Sequence, residues 1–332
     1  MEDFAAGSRR LLPRRRLLAA GLGGALLAPA ARAQVPAGAR PLTLVLPFSP
    51  GAPPDAVARI LSEALGRRLG QPAVIDNRSG ASGNIGAEFA ARAAPDGNTL
   101  MVHTSTLAMN VSLYRSIPYD PITSFAPVAT LVEVDFALVA HTSAATDFAG
   151  FLQRARARPG AMNYASPGVG TPHHLCMELF KRQANVELTH VPYRGTAGAV
   201  TDLVAGTVGV MFMPAPAAVE LARDDRLRIL AVAADAHLPN IPAVPTVAEA
   251  GVPGVTMRDW FALFAPARTP PDTLRRLNEA INAVLASPEA ARALEAQGYT
   301  VVGGTPEALR DRVATAVPRW AKVVRDANIT AD

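Results

Sequence analysis

The chain has 332 residues, of which 49% are hydrophobic and 18% are charged. A chain of this length and apolar content can bury a substantial core, which excludes intrinsic disorder as its main state. Its one cysteine, Cys176, excludes an intramolecular disulfide framework and a cysteine-based zinc cluster.

The formal net charge of +4 comes from the N-terminal segment. Residues 1–33 hold six arginines against Glu2 and Asp3, which leaves 26 basic and 26 acidic residues in the rest of the chain. A basic surface for nucleic acid therefore has no support beyond this segment, and no nucleic-acid partner is predicted.

The same segment has the order of parts of an export signal. Basic residues between positions 9 and 16 precede an apolar stretch at 17–28, and Ala31 and Ala33 are the small residues that a signal peptidase reads. We predict cleavage after Ala33 and a location outside the cytoplasm. Arginine pairs before Leu-Leu suit the twin-arginine route as well as the Sec route, and both remain open.

From residue 42 onward, strand and helix patterns alternate. The apolar run 42–46 predicts a strand buried on both faces of a parallel sheet, and apolar residues at helical spacing over 57–69 predict a helix. A strand at 73–75, a helix at 83–94 and a strand at 99–103 continue the alternation. This order predicts an α/β fold with a mainly parallel sheet.

The pattern begins again in the second half, after two strands near 128–131 and 136–140. Thr171-Pro172 has the residue types of an N-cap followed by a first-turn proline and predicts a helix start. Thr246 and Glu249 have capping-box spacing and predict a short helix. The other predicted elements are helices at 146–157, 196–205, 270–286, 288–297 and 306–327, and strands at 162–165, 188–191, 208–213, 227–232 and 260–264.

Four loops rich in Gly, Ser, Thr and Pro join a strand to a helix start, at 48–55, 80–84, 166–171 and 192–196. In a parallel sheet such loops lie at the carboxyl ends of the strands, where ligands bind. Helix starts add unpaired N–H groups and a positive dipole, so the loops predict a site for a small anion. The alternative, that these are ordinary caps and turns, stays open at this point.

Catalytic motifs are scarce. The sequence has no Gly-x-Ser-x-Gly elbow and no phosphate-binding loop that ends in Gly-Lys. His173 and His174 are adjacent, so on a helix they point about 100° apart and do not readily hold one metal ion. Cys176 has helical spacing with Leu179 and Phe180 and is predicted to be a core thiol. We therefore predict no enzyme activity, no metal and no cofactor.

Many short motifs in order give the chain a family resemblance. It resembles the periplasmic solute-binding receptors of the tripartite tricarboxylate transporter family, the Bug-type receptors, from Pro41 to about Ala327. The stretches that carry the resemblance are Leu-Val-Leu-Pro-Phe at 44–48, Asp-Asn-Arg at 76–78, Gly-Asn-Ile-Gly-Ala at 83–87, Ala-Pro-Asp-Gly at 94–97, Pro-Tyr-Asp-Pro at 118–121, Asn-Tyr-Ala-Ser at 163–166, Gly-Thr-Pro-His-His-Leu at 170–175, His-Val-Pro-Tyr-Arg-Gly at 190–195, Pro-Thr-Val-Ala-Glu-Ala-Gly at 245–251, Trp-Phe at 260–261, Phe-Ala-Pro at 264–266 and Trp-Ala-Lys-Val-Val at 320–324.

The resemblance implies a two-lobed periplasmic-binding-protein fold of the Venus flytrap type, in which two α/β lobes are joined by two crossing strands. It places lobe 1 at 41–135 plus 265–332, lobe 2 at 140–257 and the hinge strands at 136–140 and 257–264. It also implies that a small carboxylate is held largely by backbone groups and water. The ligand-binding residues implied by the family are Phe48, Gly51, Ala52, Ser82, Gly83, Thr104, Ser105, Ser166, Gly170, Thr171, Tyr193 and Thr196.

Two departures from the family pattern bear on the ligand. The first loop has Gly51-Ala52 followed by two prolines, Pro53 and Pro54, where the family usually has Gly-Gly. Met213 and Pro214 stand where the family commonly carries an acid and an amide. Our hypothesis is that the ligand lacks an amine and is more apolar than usual.

By this resemblance, the protein is a monomeric receptor that delivers a small carboxylate to membrane transporter subunits. A receptor for a membrane signalling protein is the alternative, because transport and sensing use the same closed shape. A secreted α/β enzyme is the less favoured reading, since the nucleophile and metal motifs are missing.

Overall fold

A computed structural model describes residues 40–331, so the predicted export signal lies outside the described residues. Within this range the chain forms the expected mixed α/β architecture with two lobes. The ten strands are β1 Leu42–Leu46, β2 Ala73–Asn77, β3 Thr99–Thr104, β4 Phe125–His141, β5 Asn163–Ser166, β6 Thr189–Pro192, β7 Val210–Pro214, β8 Leu227–Val232, β9 Arg258–Pro266 and β10 Thr300–Gly303.

Helices follow most of the strands along the chain. In the described range, the α-helices are α1 Pro53–Leu69, α2 Asn84–Ala91, α3 Thr106–Leu113, α4 Phe148–Ala157, α5 Pro172–Ala184, α6 Thr196–Val204, α7 Ala215–Leu221, α8 Pro271–Leu285, α9 Pro288–Ala296 and α10 Pro306–Asp326. A 3-10 turn, Ala81–Gly83, precedes α2. None of these helices is both long and apolar enough to cross a bilayer.

The strand β4 belongs to both sheets. Its first part, 125–135, pairs antiparallel with β9, which continues through β3 to the parallel strands β1 and β2. Its second part, 136–141, pairs antiparallel with β7 and β8, and β7 leads to the parallel pair β5 and β6. The expected parallel arrangement is therefore interrupted in the first sheet by β9 and by β10, which both pair antiparallel with β4, and in the second sheet by β4, which runs antiparallel to β7 and β8.

Two helix ends lie at the capping residues that the sequence predicted. Thr171 caps α5 by accepting a hydrogen bond from the N–H of His174, and Pro172 occupies the first helical position. Gly70 ends α1 in the left-handed conformation, with φ of 73°. These signals confirm the predicted start of α5 and the predicted end of α1.

Several predicted elements differ from the structure. The two strands expected near 128–131 and 136–140 are one continuous strand, β4. Residues 246–251 form a turn and not the expected helix. The capping-box bonds do form there, from Thr246 N to Glu249 Oε2 at 2.9 Å and from Glu249 N to Thr246 Oγ1 at 3.1 Å, but Gly251 then leaves helical geometry with φ of 98°. Helices α3 and α7 and strand β10 were not predicted.

Candidate functional site

A cavity of about 550 Å³ opens where loops of the two sheets meet. One side contributes the loop after β1, the 3-10 turn, the end of β3 and part of β9, and the other contributes the starts of α5, α6 and α7. The shared strand β4 contributes Val134 and Phe136. The loops lie at the carboxyl ends of parallel strands, which is where an anion site was predicted.

The predicted ligand contacts divide into two groups. Those that line the cavity are Phe48, Ala52, Ser82, Thr104, Thr171 and Thr196. The others are not among the lining residues, and each takes part in a hydrogen bond within the protein: Gly51, Gly83, Ser105, Ser166, Gly170 and Tyr193. All twelve stay predictions as ligand contacts, and the first group has direct access to the cavity.

The loop after β1 is fixed by the buried carboxylate of Asp55. This side chain accepts hydrogen bonds from Gly51 N at 2.9 Å, Arg59 Nε at 2.7 Å and Asn77 Nδ2 at 2.9 Å. Burial alone would raise the pKa of Asp55, but these hydrogen bonds outweigh it and lower the pKa to about 2. The carboxylate therefore stays ionised at neutral pH and holds the loop that presents Phe48.

The start of α1 has few free N–H groups for a ligand. Pro53 and Pro54 have none, and Gly51 N and Ala52 N donate to Asp55 Oδ2 and Ser49 O. This differs from the expectation that each helix start offers unpaired donors. The two prolines leave α1 to contribute mainly its dipole to the cavity.

Gly86 of α2 lets this helix approach the loop after β1 closely. A Cβ at this position would lie 2.8 Å from Pro47 Cα and 2.9 Å from Arg78 O, both backbone atoms that cannot rotate away. The loop that carries Phe48 therefore depends on the absence of a side chain at position 86.

We expect Gly86→Ala to lower the free energy of unfolding by about 1–3 kcal/mol, because the added methyl overpacks a backbone contact. It should also weaken ligand binding by moving Phe48. Urea unfolding and calorimetric titration measure the two effects. Glu88→Ala on the same helix, which removes the ion pair between the half-buried Glu88 and the exposed Arg92, is the control, and equal behaviour of the two variants would contradict the packing argument.

On the opposite side, three stacked rings support the loop 166–171. The rings of Tyr164 and His190 lie 4.8 Å apart and those of His190 and His174 lie 4.0 Å apart. His190 Nε2 is 2.7 Å from Ser166 Oγ, and Gly170 N donates to His174 Nδ1 at 3.0 Å. The loop is thus attached at both ends to neutral imidazoles, since burial lowers the pKa of His174 to about 3 and that of His190 to about 4.

Asp259 of β9 is a polar cavity residue that the sequence analysis missed. Its Oδ1 accepts hydrogen bonds from Ser105 Oγ at 2.6 Å, Trp260 N at 2.9 Å and Ser105 N at 3.2 Å. Burial nonetheless raises the pKa of Asp259 to about 6. The sequence did offer one signal for Asp259, which is the only acid in the largely apolar strand 258–266. A carboxyl buried in such a strand needs hydrogen-bond partners.

Arg194 and His173 also line the cavity and were not predicted as contacts. Arg194 is exposed and has no ion-pair partner within residues 40–331. The ring of His173 meets Phe136 edge-on at 5.0 Å, and its Nδ1 is buried without a hydrogen-bond partner in the described part of the chain. Burial lowers the pKa of His173 to about 3, so the ring is neutral near pH 7.

Most of the remaining wall is apolar. The departures from the family pattern, at Ala52, Pro53, Pro54, Met213 and Pro214, all lie in it. The other apolar lining residues are Phe48, Val134, Phe136, Pro167, Pro172, Val200, Pro216, Ala217 and Phe261. A ligand in this cavity therefore meets few polar groups, and each of them has a large influence on which ligand fits.

A cluster of metal ligands is not assembled in the described chain. Across residues 40–331, no three side chains of His, Cys, Asp or Glu are placed to hold a metal ion. Cys176 is fully buried, as the sequence predicted, and burial raises the pKa of its thiol well above the usual range.

Comparison with known proteins identifies the family. Residues 57–329 match the family described as tripartite tricarboxylate transporter family receptor. The chain belongs to this receptor family. Members of the family are periplasmic solute-binding proteins, and the two-lobed fold is theirs.

Three relatives show how far this similarity extends. A protein encoded between tcbD and tcbE in Pseudomonas sp. strain P51 is 38% identical, with 96% of each chain covered. An R. palustris protein solved with adipate is 37% identical, with a TM-score of 0.81 and 88% of this chain and 99% of that chain covered. MatC from Rhodopseudomonas palustris, solved with malate, is 34% identical, with a TM-score of 0.77 and 86% and 99% covered.

Proposed function

We propose that this receptor-family protein is an exported, non-enzymatic monomer that traps a small carboxylate between its two lobes and delivers it to a tripartite tricarboxylate-type membrane transporter. The observation that carries the proposal is one cavity lined from both sheets, by Thr104 and Asp259 on one side and Thr171 and Arg194 on the other. Relatives of this chain were solved with adipate and malate, both small carboxylates.

The cavity chemistry suits a carboxylate with an apolar body. Arg194 supplies a cation without a competing acid in the described chain, and the start of α5 adds its positive dipole through Thr171, Pro172 and His173. The apolar wall excludes water from the bound ligand, which strengthens these electrostatic contacts. The departures at Met213 and Pro214 agree with a ligand without an amine.

The strand arrangement supports the proposed lobes, 41–135 plus 265–332 and 140–257. β4 pairs with β9 up to residue 135 and with β7 and β8 from residue 136. The second crossing comes just before β9, where Met257 N donates to Ala233 O at 2.8 Å and Phe136 N donates to Met257 O at 3.2 Å. Residues 136–140 and 257–264 are therefore the proposed hinge, and a ligand that contacts both lobes favours their closed arrangement.

Thermal unfolding of the exported protein with a panel of carboxylates tests the binding function. We expect a specific ligand to raise the free energy of unfolding by about 2.7 kcal/mol at 100 times its Kd. Arg194→Gln should weaken binding about tenfold, whereas Arg228→Gln, an exposed change away from the cavity, should leave it unchanged.

Uptake of the same carboxylate by cells with and without the receptor gene tests delivery. Loss of uptake on deletion supports transport. A panel in which no carboxylate raises the melting temperature contradicts the binding function. Binding with unchanged uptake would contradict delivery to a transporter.

A further inference from the structure

One oxygen of the Asp259 carboxyl has no partner in the protein. All three hydrogen bonds to this carboxyl end on Oδ1, from Ser105 Oγ, Ser105 N and Trp260 N. Within residues 40–331, Oδ2 accepts none, and Asp259 is part of the cavity wall. The carboxyl is thus oriented by one oxygen and faces the ligand space with the other.

We propose that Asp259 determines ligand specificity by accepting, through Oδ2, a hydrogen bond from a hydroxyl group on the ligand. The receptor then selects hydroxylated carboxylates over analogues that carry hydrogen or an amine at the same carbon. This inference rests on the proposed binding function and adds the class of ligand to it. The two relatives solved with ligands hold malate, which has a hydroxyl, and adipate, which has none, so the family does not decide the question.

A hydroxyl group needs a single acceptor, and Oδ2 of Asp259 can supply it. Oδ2 of Asp259 is a single acceptor, and Val134, Phe136 and Phe261 of the same wall are apolar. A hydroxyl has one O–H to donate, so one acceptor satisfies it.

An ammonium group fits this wall less well. It has three N–H donors, and each donor left without an acceptor in an apolar cavity costs free energy. The cavity hydroxyls of Thr104 and Thr106, on either side of Ser105 in the sequence, are already 2.9 Å from each other, and Thr106 N donates to Thr104 Oγ1.

A plain carboxylate leaves Oδ2 buried against the ligand without a donor. Losing the donor to a charged acceptor typically weakens binding by a factor of about 10 to 100. If the ligand instead placed a second carboxylate at this point, the ionised Asp259 would repel it. Both effects favour the hydroxylated member of a series.

Other polar groups of the wall fix the opposite end of the ligand. Arg194 and the start of α5 lie in the proposed second lobe, whereas Asp259 lies in β9 of the first sheet. A carboxylate held by Arg194 and a hydroxyl held by Asp259 would link the second lobe to the hinge strand β9, where Asp259 is itself bound to Ser105 of the first lobe. Ser105 acts as a positioning residue, because it makes two of the three bonds that orient the Asp259 carboxyl.

Matched ligand trios test the proposal by calorimetric titration at pH 7.5. The trios differ only in hydroxyl, hydrogen or amine: malate, succinate and aspartate; 2-hydroxyadipate, adipate and 2-aminoadipate; 3-phenyllactate, 3-phenylpropionate and phenylalanine. We expect the hydroxylated member of the tightest-binding trio to bind at least about tenfold more tightly than its two analogues.

Asp259→Asn provides the decisive comparison. The Ser105 and Trp260 donors hold the amide oxygen in the place of Oδ1, so the –NH2 group faces the cavity as a donor in place of an acceptor. We expect the preference for the hydroxyl to fall below about threefold while the fold is retained, as checked by circular dichroism. Asp225→Asn, an exposed acid on the second lobe, is the matched control and should keep the preference.

The outcomes separate this inference from the proposed function. A plain or amino analogue that binds the wild type as tightly as its hydroxylated partner overturns the role of Asp259, and so does a preference that survives in Asp259→Asn. The binding function stands in both cases. If no member of any trio and no other carboxylate binds, the binding function fails and this inference fails with it.

Discussion

Lowering the pH from 7 to 5 is expected to reduce the free energy of unfolding by several kcal/mol. His103, His173, His174 and His190 are held neutral in the fold, because burial lowers the pKa of each to about 3 or 4. In the unfolded chain a histidine titrates near pH 6.5, so the unfolded state takes up these protons first. The stability they provide is fully present above pH 6.5 and is lost as the pH falls toward 4.

The size of the effect follows from the number of groups. For each of these histidines, the free energy of unfolding falls by about 1.4 kcal/mol for every unit by which the pH drops inside this window. Asp259 works in the opposite direction, since its pKa is raised to about 6 and its protonation between pH 6 and 3.8 favours the fold. One carboxyl offsets only part of the loss from four imidazoles, so net destabilisation in acid is expected.

Urea unfolding at pH 7.5, 6 and 5 measures this loss. His173→Phe should flatten the pH dependence by about a quarter. The change removes one of the four groups, and Nδ1 of His173 has no hydrogen bond to lose in the described chain. Val302→Ala, which changes an exposed side chain that carries no titratable group, is the control and should leave the slope unchanged. A free energy of unfolding that stays constant from pH 7.5 to 5 would contradict buried neutral histidines.

Much of the fold could be predicted because its elements carry strong local signals. β1 is a short run of apolar residues, and α5 begins at a threonine cap followed by a proline. α3 was missed because its residues are buried on nearly every side, which removes the amphipathic period that identifies a helix.

β4 shows how charge inside a strand misleads a sequence interpretation. Glu133 and Asp135 interrupt the apolar pattern, so two strands were predicted in place of one. In the structure Asp135 forms a 2.8 Å ion pair with Arg258, and Glu133 pairs with Arg312 of α10. Partners distant in sequence therefore allow the strand to continue through both sheets, and no local pattern contains that information.

The residues of the candidate site were likewise predictable where they lie in local sequence patterns and not where they depend on distant partners. Loops with helix starts are local patterns, and half of the predicted contacts line the cavity. Asp259 depends on Ser105, 154 residues earlier in the chain, and its place in the wall is set by the pairing of β9 with β3 and β4. Arg194 lies within a family motif, but only the folded chain shows that it shares a cavity with Asp259.

Replacing Phe136 with alanine is expected to lower the free energy of unfolding by about 3–5 kcal/mol. Phe136 is 0% exposed and packs in the core next to His173. Its backbone also lies at the junction of the two sheets, where Ala233 N donates to Phe136 O at 2.7 Å. Removing the ring leaves a space that these surroundings cannot fill without moving the strand crossing.

The same change should weaken carboxylate binding, because Phe136 forms part of the cavity wall. Phe136→Leu keeps most of the apolar volume and should cost less than about 1.5 kcal/mol. Phe89→Ala removes a phenyl ring that is 38% exposed and contacts Arg78, so it should cost less than about 1 kcal/mol.

Urea unfolding gives the stability of each variant, and titration at a temperature where every variant is folded gives its affinity. Under that condition a loss of global stability alone does not change Kd, so weaker binding by Phe136→Ala but not by Phe89→Ala would report on the shape of the cavity itself. Equal affinity of Phe136→Ala and the wild type would show that the ligand does not use this part of the wall, and the site would then have to lie nearer the loops at Phe48 and Thr171.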